Sequence, residues 1–139
     1  MGLSRREVLQ LGSGLIAIGM AGCTNILSNK RLRIEILNFD TASHKLSLEV
    51  ISPTGGNNLA PVLEKMYDLP DPNDETATTV SVKEDLPAKK YLIRTYLGDN
   101  PSVRENFIFY ANQETGPEAE LYVEVRRDVN DAEPYIVFR

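Results

Sequence analysis

Along most of the chain, apolar and polar residues alternate with a period of two. Leu32, Ile34 and Ile36 share one parity, with Arg33 and Glu35 on the other. Leu46, Leu48 and Val50 repeat the pattern, with Lys45, Ser47 and Glu49 between them. Thr78, Val80 and Val82 follow, then Tyr91, Ile93 and Thr95, then Val103, Phe107 and Phe109. Leu121, Val123 and Val125, and finally Ile136 and Phe138, complete the series. Successive strand side chains point to opposite faces, so each run reads as a strand with one buried face. The separators "NFDTAS", "LPDPNDE", "EDLPAK", "GDNP" and "DVNDAEP" are rich in turn-forming residues. Short strands at this spacing predict an all-β sandwich or barrel.

One segment conflicts with this pattern. In "NLAPVLEKMYDLP", Leu59, Val62, Leu63, Met66 and Tyr67 fall at helical spacing. Read as a strand, Leu63, Tyr67 and Leu69 share a side with Lys65. The strand is the expectation for residues 59–69, because a lone helix fits poorly among strands. In "EDLPAKKYLIRTYLGD", Leu86-Pro87 precedes Tyr91 by a few residues. This resembles a tyrosine corner, in which the ring packs inward and its hydroxyl bonds backbone upstream, where the chain crosses between sheets.

The first 22 residues break the alternation. Ser4-Arg5-Arg6-Glu7-Val8-Leu9 leads into a short, glycine-interrupted apolar run that ends Met20-Ala21-Gly22-Cys23. The run is too short for a membrane span, which needs about 20 apolar residues. A positive start, a short apolar stretch and a small-residue exit read as an export signal. Arg5 and Arg6 resemble the twin-arginine motif. Met20 to Cys23 resembles a lipobox, with Cys23 as the thiol that takes lipid. The expected organisation is a signal helix over 1–22, a lipidated tether over 23–30 and one domain over 31–139. The expected location is the outer face of the cell membrane.

Charge and ligand types narrow the function. Residues 1–22 carry two arginines and one glutamate, so the net charge of −5 becomes −6 without them. An acidic surface disfavours nucleic acid. The chain has one histidine, His44, and one cysteine, Cys23. A blue-copper site needs two histidines and a free thiolate, so no such site is expected. His44, on an inward parity at a strand start, reads as a rim residue satisfied by backbone. The acidic turn Asp68 to Glu75 lacks the glycine and distant glutamate of an EF-hand loop and reads as solvated. No metal, cofactor or catalytic residue is expected, and no enzymatic activity. Leu92, Tyr96, Ile108, Tyr110 and Tyr122 lie on outward parities of late strands. Were those strands neighbours in one sheet, they would form a contact patch.

The signal (Ser4 to Cys23) and the domain outline, including "HKLSLEVIS", "VLEKMYDLP", "TTVSVKEDLPAKKYLIRTYLGD" and "LYVEVRRDVNDAEPYIVF", together resemble a family: small twin-arginine-exported lipoproteins of halophilic archaea with a single Ig-like domain. The resemblance implies an Ig-like β-sandwich of about seven to eight strands. It implies lipid anchoring through Cys23, and an acidic surface suited to high salt, where charge repulsion is screened. It supplies location and fold, not activity. The expected role is a binding or structural module that contacts another cell-surface component. The alternative is an accessory subunit capturing a ligand for a transporter or envelope complex.

Overall fold

The computed structural model describes residues 30–53, 60–111 and 118–139. Arg5, Arg6, Cys23 and Leu59 lie outside the described residues. Every element is a strand: β1 (Arg31–Asn38), β2 (His44–Ile51), β3 (Pro61–Leu69), β4 (Thr78–Ser81), β5 (Leu86–Pro87), β6 (Tyr91–Leu97), β7 (Arg104–Phe109), β8 (Glu118–Arg126) and β9 (Tyr135–Phe138). They form two sheets. The first has the order β4-β1-β8-β9, and β5 also pairs with β1, beyond β4. The second has the order β3-β2-β6-β7. The described part of the chain is therefore an all-β, two-sheet sandwich. Among the described residues the nine strands exceed the expected seven to eight because the chain pairs briefly at Leu86-Pro87, too short a run to show as alternation.

The inward parities converge on one core. Ile34, Ile36, Leu46, Leu48, Val50, Ile93, Val123 and their neighbours are fully buried between the sheets. Apolar burial is worth about 25 cal/mol per Å² and is the main term holding the sheets together. β1 and β8 run parallel, the one parallel pairing among the described strands. All the others are antiparallel. The sandwich is pinched along one edge, where Phe107 of β7 stacks on Phe138 of β9 with ring centroids 4.9 Å apart.

Residues 61–69 are a strand. It pairs antiparallel with β2 from His44↔Leu69 to Ile51↔Pro61, with a bulge at Val50/Ile51. Leu63, Tyr67 and Leu69 face the core, whereas Val62 and Met66 are exposed. The helical spacing arose because both faces of this edge strand carry apolar residues. Lys65 shares the inward parity but reaches out of the open edge, its Nζ 3.1 Å from Glu84 and 5.4 Å from the Tyr67 ring centroid. Tyr67 also donates to Glu84 at 3.3 Å. Burial, reinforced by that carboxylate, pushes the Tyr67 phenol up to about 12.

Tyr91 lies where the chain passes from β5 in one sheet to β6 in the other. It is 1% exposed, and its hydroxyl donates 2.7 Å to the Pro87 carbonyl, four residues upstream. Burial raises its pKa. Removing the hydroxyl breaks this part-buried hydrogen bond, so Tyr91→Phe should cost about 1 kcal/mol in urea unfolding. Tyr96→Phe, whose hydroxyl has no hydrogen bond among the described residues, should cost far less. Equal losses would show that the Tyr91–Pro87 bond does not hold the crossover.

Candidate functional site

Two features stand out on this scaffold: a charged cluster at one end and the outer face of the second sheet.

The cluster begins in the β1–β2 turn. Asn38 accepts from the Asp40 amide at 3.0 Å, and its own amide donates to the carbonyls of Ala42 and Pro70. This folds the turn so that the Asp40 side chain points inward, only 1% exposed. His44, the first residue of β2, places Nε2 2.6 Å from Asp40 Oδ2. Its Nδ1 is 3.1 Å from Asp99 Oδ2, in the β6–β7 turn. Gly98 makes that approach possible: its amide donates to Lys45 O at 2.7 Å, and a Cβ there would meet Lys45 and Met66 at 3.3 Å. Arg127, just past β8, completes the cluster. It donates to both Asp40 oxygens at 2.9–3.2 Å and to Ala132 O at 2.9 Å.

Electrostatics follow from this geometry. Burial pushes the Asp40 carboxyl up, but the Arg127 and His44 hydrogen bonds outweigh it and hold the group below its usual range. Burial likewise opposes ionisation of Asp99; its own backbone amide and His44 prevail, and its pKa is also lowered. Both ring nitrogens of His44 thus lie within hydrogen-bond reach of a carboxylate. The reading of His44 as satisfied by backbone is therefore corrected: two carboxylates satisfy it. Asp40, Asp99 and Arg127 could not be singled out from sequence, since they come from three separate turns. A hollow of about 300 Å³ beside the ring is lined by Ser43, Lys45, Asp68, Pro70 and Asp99, among others.

In the acidic turn after β3, Asp71 accepts from the Asn73 amide at 3.1 Å. Asn73 has a positive φ of 51°, a conformation asparagine tolerates. Among the described residues no group of histidine, cysteine and carboxylate side chains is arranged to hold a metal ion, and no helix is long and apolar enough to cross a membrane.

The expected contact patch is divided. Leu92 and Tyr96 (β6) lie beside Ile108 (β7), with Leu92↔Ile108 in register, and Tyr110 follows directly after β7. Tyr122 belongs to β8, in the other sheet, where it pairs with Glu35 and donates to Glu120 at 3.0 Å. It does not join the patch, because alternation reveals which face a residue takes but not which sheet its strand enters. Val62 (50% exposed) and Met66 (46%) take its place from β3. Of the exposed large apolar residues among those described, only Tyr122 and Val129 lie elsewhere. Between the apolar residues is an open cleft of about 610 Å³, lined by Glu49, Arg94, Tyr96, Pro101, Arg104 and Asn106, with Thr95 behind. Arg94 comes no nearer than 4.0 Å to Glu49. Arg104 donates Nε and Nη2 to the Pro101 carbonyl.

The outer face of the first sheet is different. Glu35 is held by Arg33 and Ser81 at 2.7 and 2.6 Å. Glu124 is held by Arg126 at 2.6 Å and Arg139 at 3.3 Å. Its charges are held in short pairs; those of the second sheet are looser, with Lys45–Asp68 at 3.8 Å and Glu49–Arg94 at 4.0 Å.

No protein-family model matches the chain, and none of the curated proteins matches it.

A depressed carboxyl pKa contributes stability above the unfolded value and loses it as pH falls through the folded one. Stability conferred by Asp40 should therefore be complete above about pH 5 and decline below its ordinary value of 3.8. Asp40→Asn should cost about 3 kcal/mol at pH 7, because it strands Arg127 and His44, and should flatten the acid limb of a stability–pH profile. Asp99→Asn, at a half-exposed site, should cost less than about 1 kcal/mol. An unchanged acid limb in Asp40→Asn would contradict the assignment.

Proposed function

We propose that the chain is a lipid-anchored, extracytoplasmic Ig-like domain that acts as a non-enzymatic binding or structural module, contacting another cell-surface component through the outer face of its second sheet. The asymmetry between the two outer faces carries the contact part of this reading. One face engages its own charges. The other leaves Val62, Met66, Tyr96, Ile108 and Tyr110 exposed around two lightly engaged arginines. Aromatic residues and arginine are the types enriched where proteins meet, and an apolar patch rimmed by polar groups is the usual form of a docking surface.

The alternative, capture of a small ligand for a transporter or envelope complex, is better served by an enclosed apolar pocket with a few convergent polar groups. The cleft here is open and lined mainly by polar and charged side chains, which favours a surface contact. The Ig-like assignment is supported by two packed sheets and by a Tyr91 that bonds back to Pro87 at the crossover.

The anchor rests on Arg5, Arg6 and the Met20 to Cys23 motif. Two lipid chains hold a protein firmly where one holds it marginally, at about 0.8 kcal/mol per buried methylene. Cys23→Ser should leave the domain folded, since the core lies within residues 32–136, and should release it to the medium or leave it uncleaved. Changing Arg5 and Arg6 together to lysine should trap the precursor inside the cell. Fractionation distinguishes these outcomes. Normal cleavage of Cys23→Ser with full membrane retention would refute the anchor.

A further inference from the structure

Cross-strand register sorts the outward residues of the second sheet into rows. Met66, Ser47, Tyr96 and Arg104 lie at one level. Glu64, Glu49, Arg94 and Asn106 lie at the next. Leu92 and Ile108 form the third, level with a fully buried Ile51, and Val62 extends it two residues along β3 from Glu64. The middle row is polarised: its acids are on β3 and β2, and its arginine is on β6. Arg104, one row away on β7, adds to the basic side. With Lys45 and Asp68 included, acidic and basic side chains on this face balance, although the chain carries −5 overall.

We infer that this face pairs with the same face of a second copy of the chain, about a two-fold axis parallel to the strands and lying between β2 and β6. Such an interface is self-complementary: whatever residue i meets on the partner copy meets i in return. About this axis the row levels coincide and the strand order reverses. Glu49 of each copy then faces Arg94 of the other, and four charges alternate in sign around the axis. Glu64 is carried over the cleft between Arg94, Asn106 and Arg104, which the apposed copy thereby fills. In the third row the exposed Val62 meets Ile108, apolar on apolar, with Leu92 beside them. The other in-plane two-fold, running across the strands, sets Glu49 on Glu49 and Arg94 on Arg94. Apposed like charges cost several kcal/mol, so charge selects the first axis. Because the face is neutral in an otherwise acidic chain, it is also where two copies can approach with little repulsion.

This deepens the contact-surface part of the proposed function and rests on it, but not on the anchor. The test uses two differently tagged full-length copies expressed together, solubilised in mild detergent and purified through one tag. Wild type should bring down wild type. Glu49→Arg paired with itself, and Arg94→Glu paired with itself, should each lower recovery of the second tag at least about tenfold, the loss expected once a charge pair becomes a repulsion. Glu49→Arg expressed with Arg94→Glu should restore recovery to within about threefold, because unlike charges then face each other again across the axis. Neither chain of that mixture regains its internal Glu49–Arg94 pair, so rescue reports the contact between copies alone. Ile108→Lys, in the apolar row, should lower recovery independently of the charge row. The inference is overturned if Glu49→Arg pairs with itself as well as wild type does, or if the reciprocal mixture fails while circular dichroism shows both variants folded. It is also overturned if both wild-type tags reach the membrane but never copurify, a result that leaves contact with a different component standing. Recovery of the tags outside the membrane would fault the anchor, and copurification from that fraction would still report the pairing.

Discussion

A single buried carboxylate joins one end of this sandwich. Asp40 receives Arg127 from the β8–β9 connection and His44 from β2, and His44 in turn holds Asp99 from the β6–β7 turn. Asp40 follows β1 and Arg127 follows β8, both of the first sheet; His44 and Asp99 belong to the second. The cluster is therefore a polar bridge between sheets whose shared core is apolar. Hydrophobic burial is non-directional, and it would tolerate some sliding of one sheet over the other. Charged hydrogen bonds of fixed geometry do not. The chain has one cysteine, so no intrachain disulfide can take over this role. At the opposite end, Tyr91 bonds Pro87 where the chain changes sheet. The two polar fasteners hold the register that the core alone leaves loose.

That rigidity bears on function. A face held flat by four paired strands, with its turns clamped, presents Val62, Met66, Tyr96 and Ile108 in fixed relative positions. Preorganised side chains lose little freedom on binding, and less of the interaction energy is consumed in ordering them. The same clamping fixes His44, the one histidine of the chain, between the Asp40 and Asp99 carboxylates.

Much of the fold was legible because alternation reports burial directly. Leu32, Ile34, Leu46, Leu48, Ile93 and Val123 needed only a period of two to be assigned inward, and all are buried. Leu63, Tyr67 and Leu69 were assigned correctly by reading β3 as a strand, against a spacing that suited a helix. What alternation does not carry is pairing. β8 could as well have continued the second sheet, and only its parallel pairing with β1 moved Tyr122 to the opposite surface. The Asp40 cluster was hidden for a related reason: its members are 4, 55 and 87 residues apart, in turns whose composition already suits solvent. The signal segment is the reverse case. Its information is linear, read in Arg5, Arg6 and Cys23 without reference to any fold.

The central claim is that one outer face of this sandwich is covered in the cell envelope and the other is not. Covalent footprinting with a photogenerated carbene, on intact membranes carrying the wild-type chain, tests it within a single molecule. Side chains on both faces have similar exposure in the isolated domain, Tyr96 at 41% and Tyr122 at 37%, so each is an internal reference for the other. The account predicts that Met66, Tyr96 and Ile108 are protected while Tyr122 and Val129 label freely. Equal labelling of Tyr96 and Tyr122, or protection of Tyr122 alone, would contradict it.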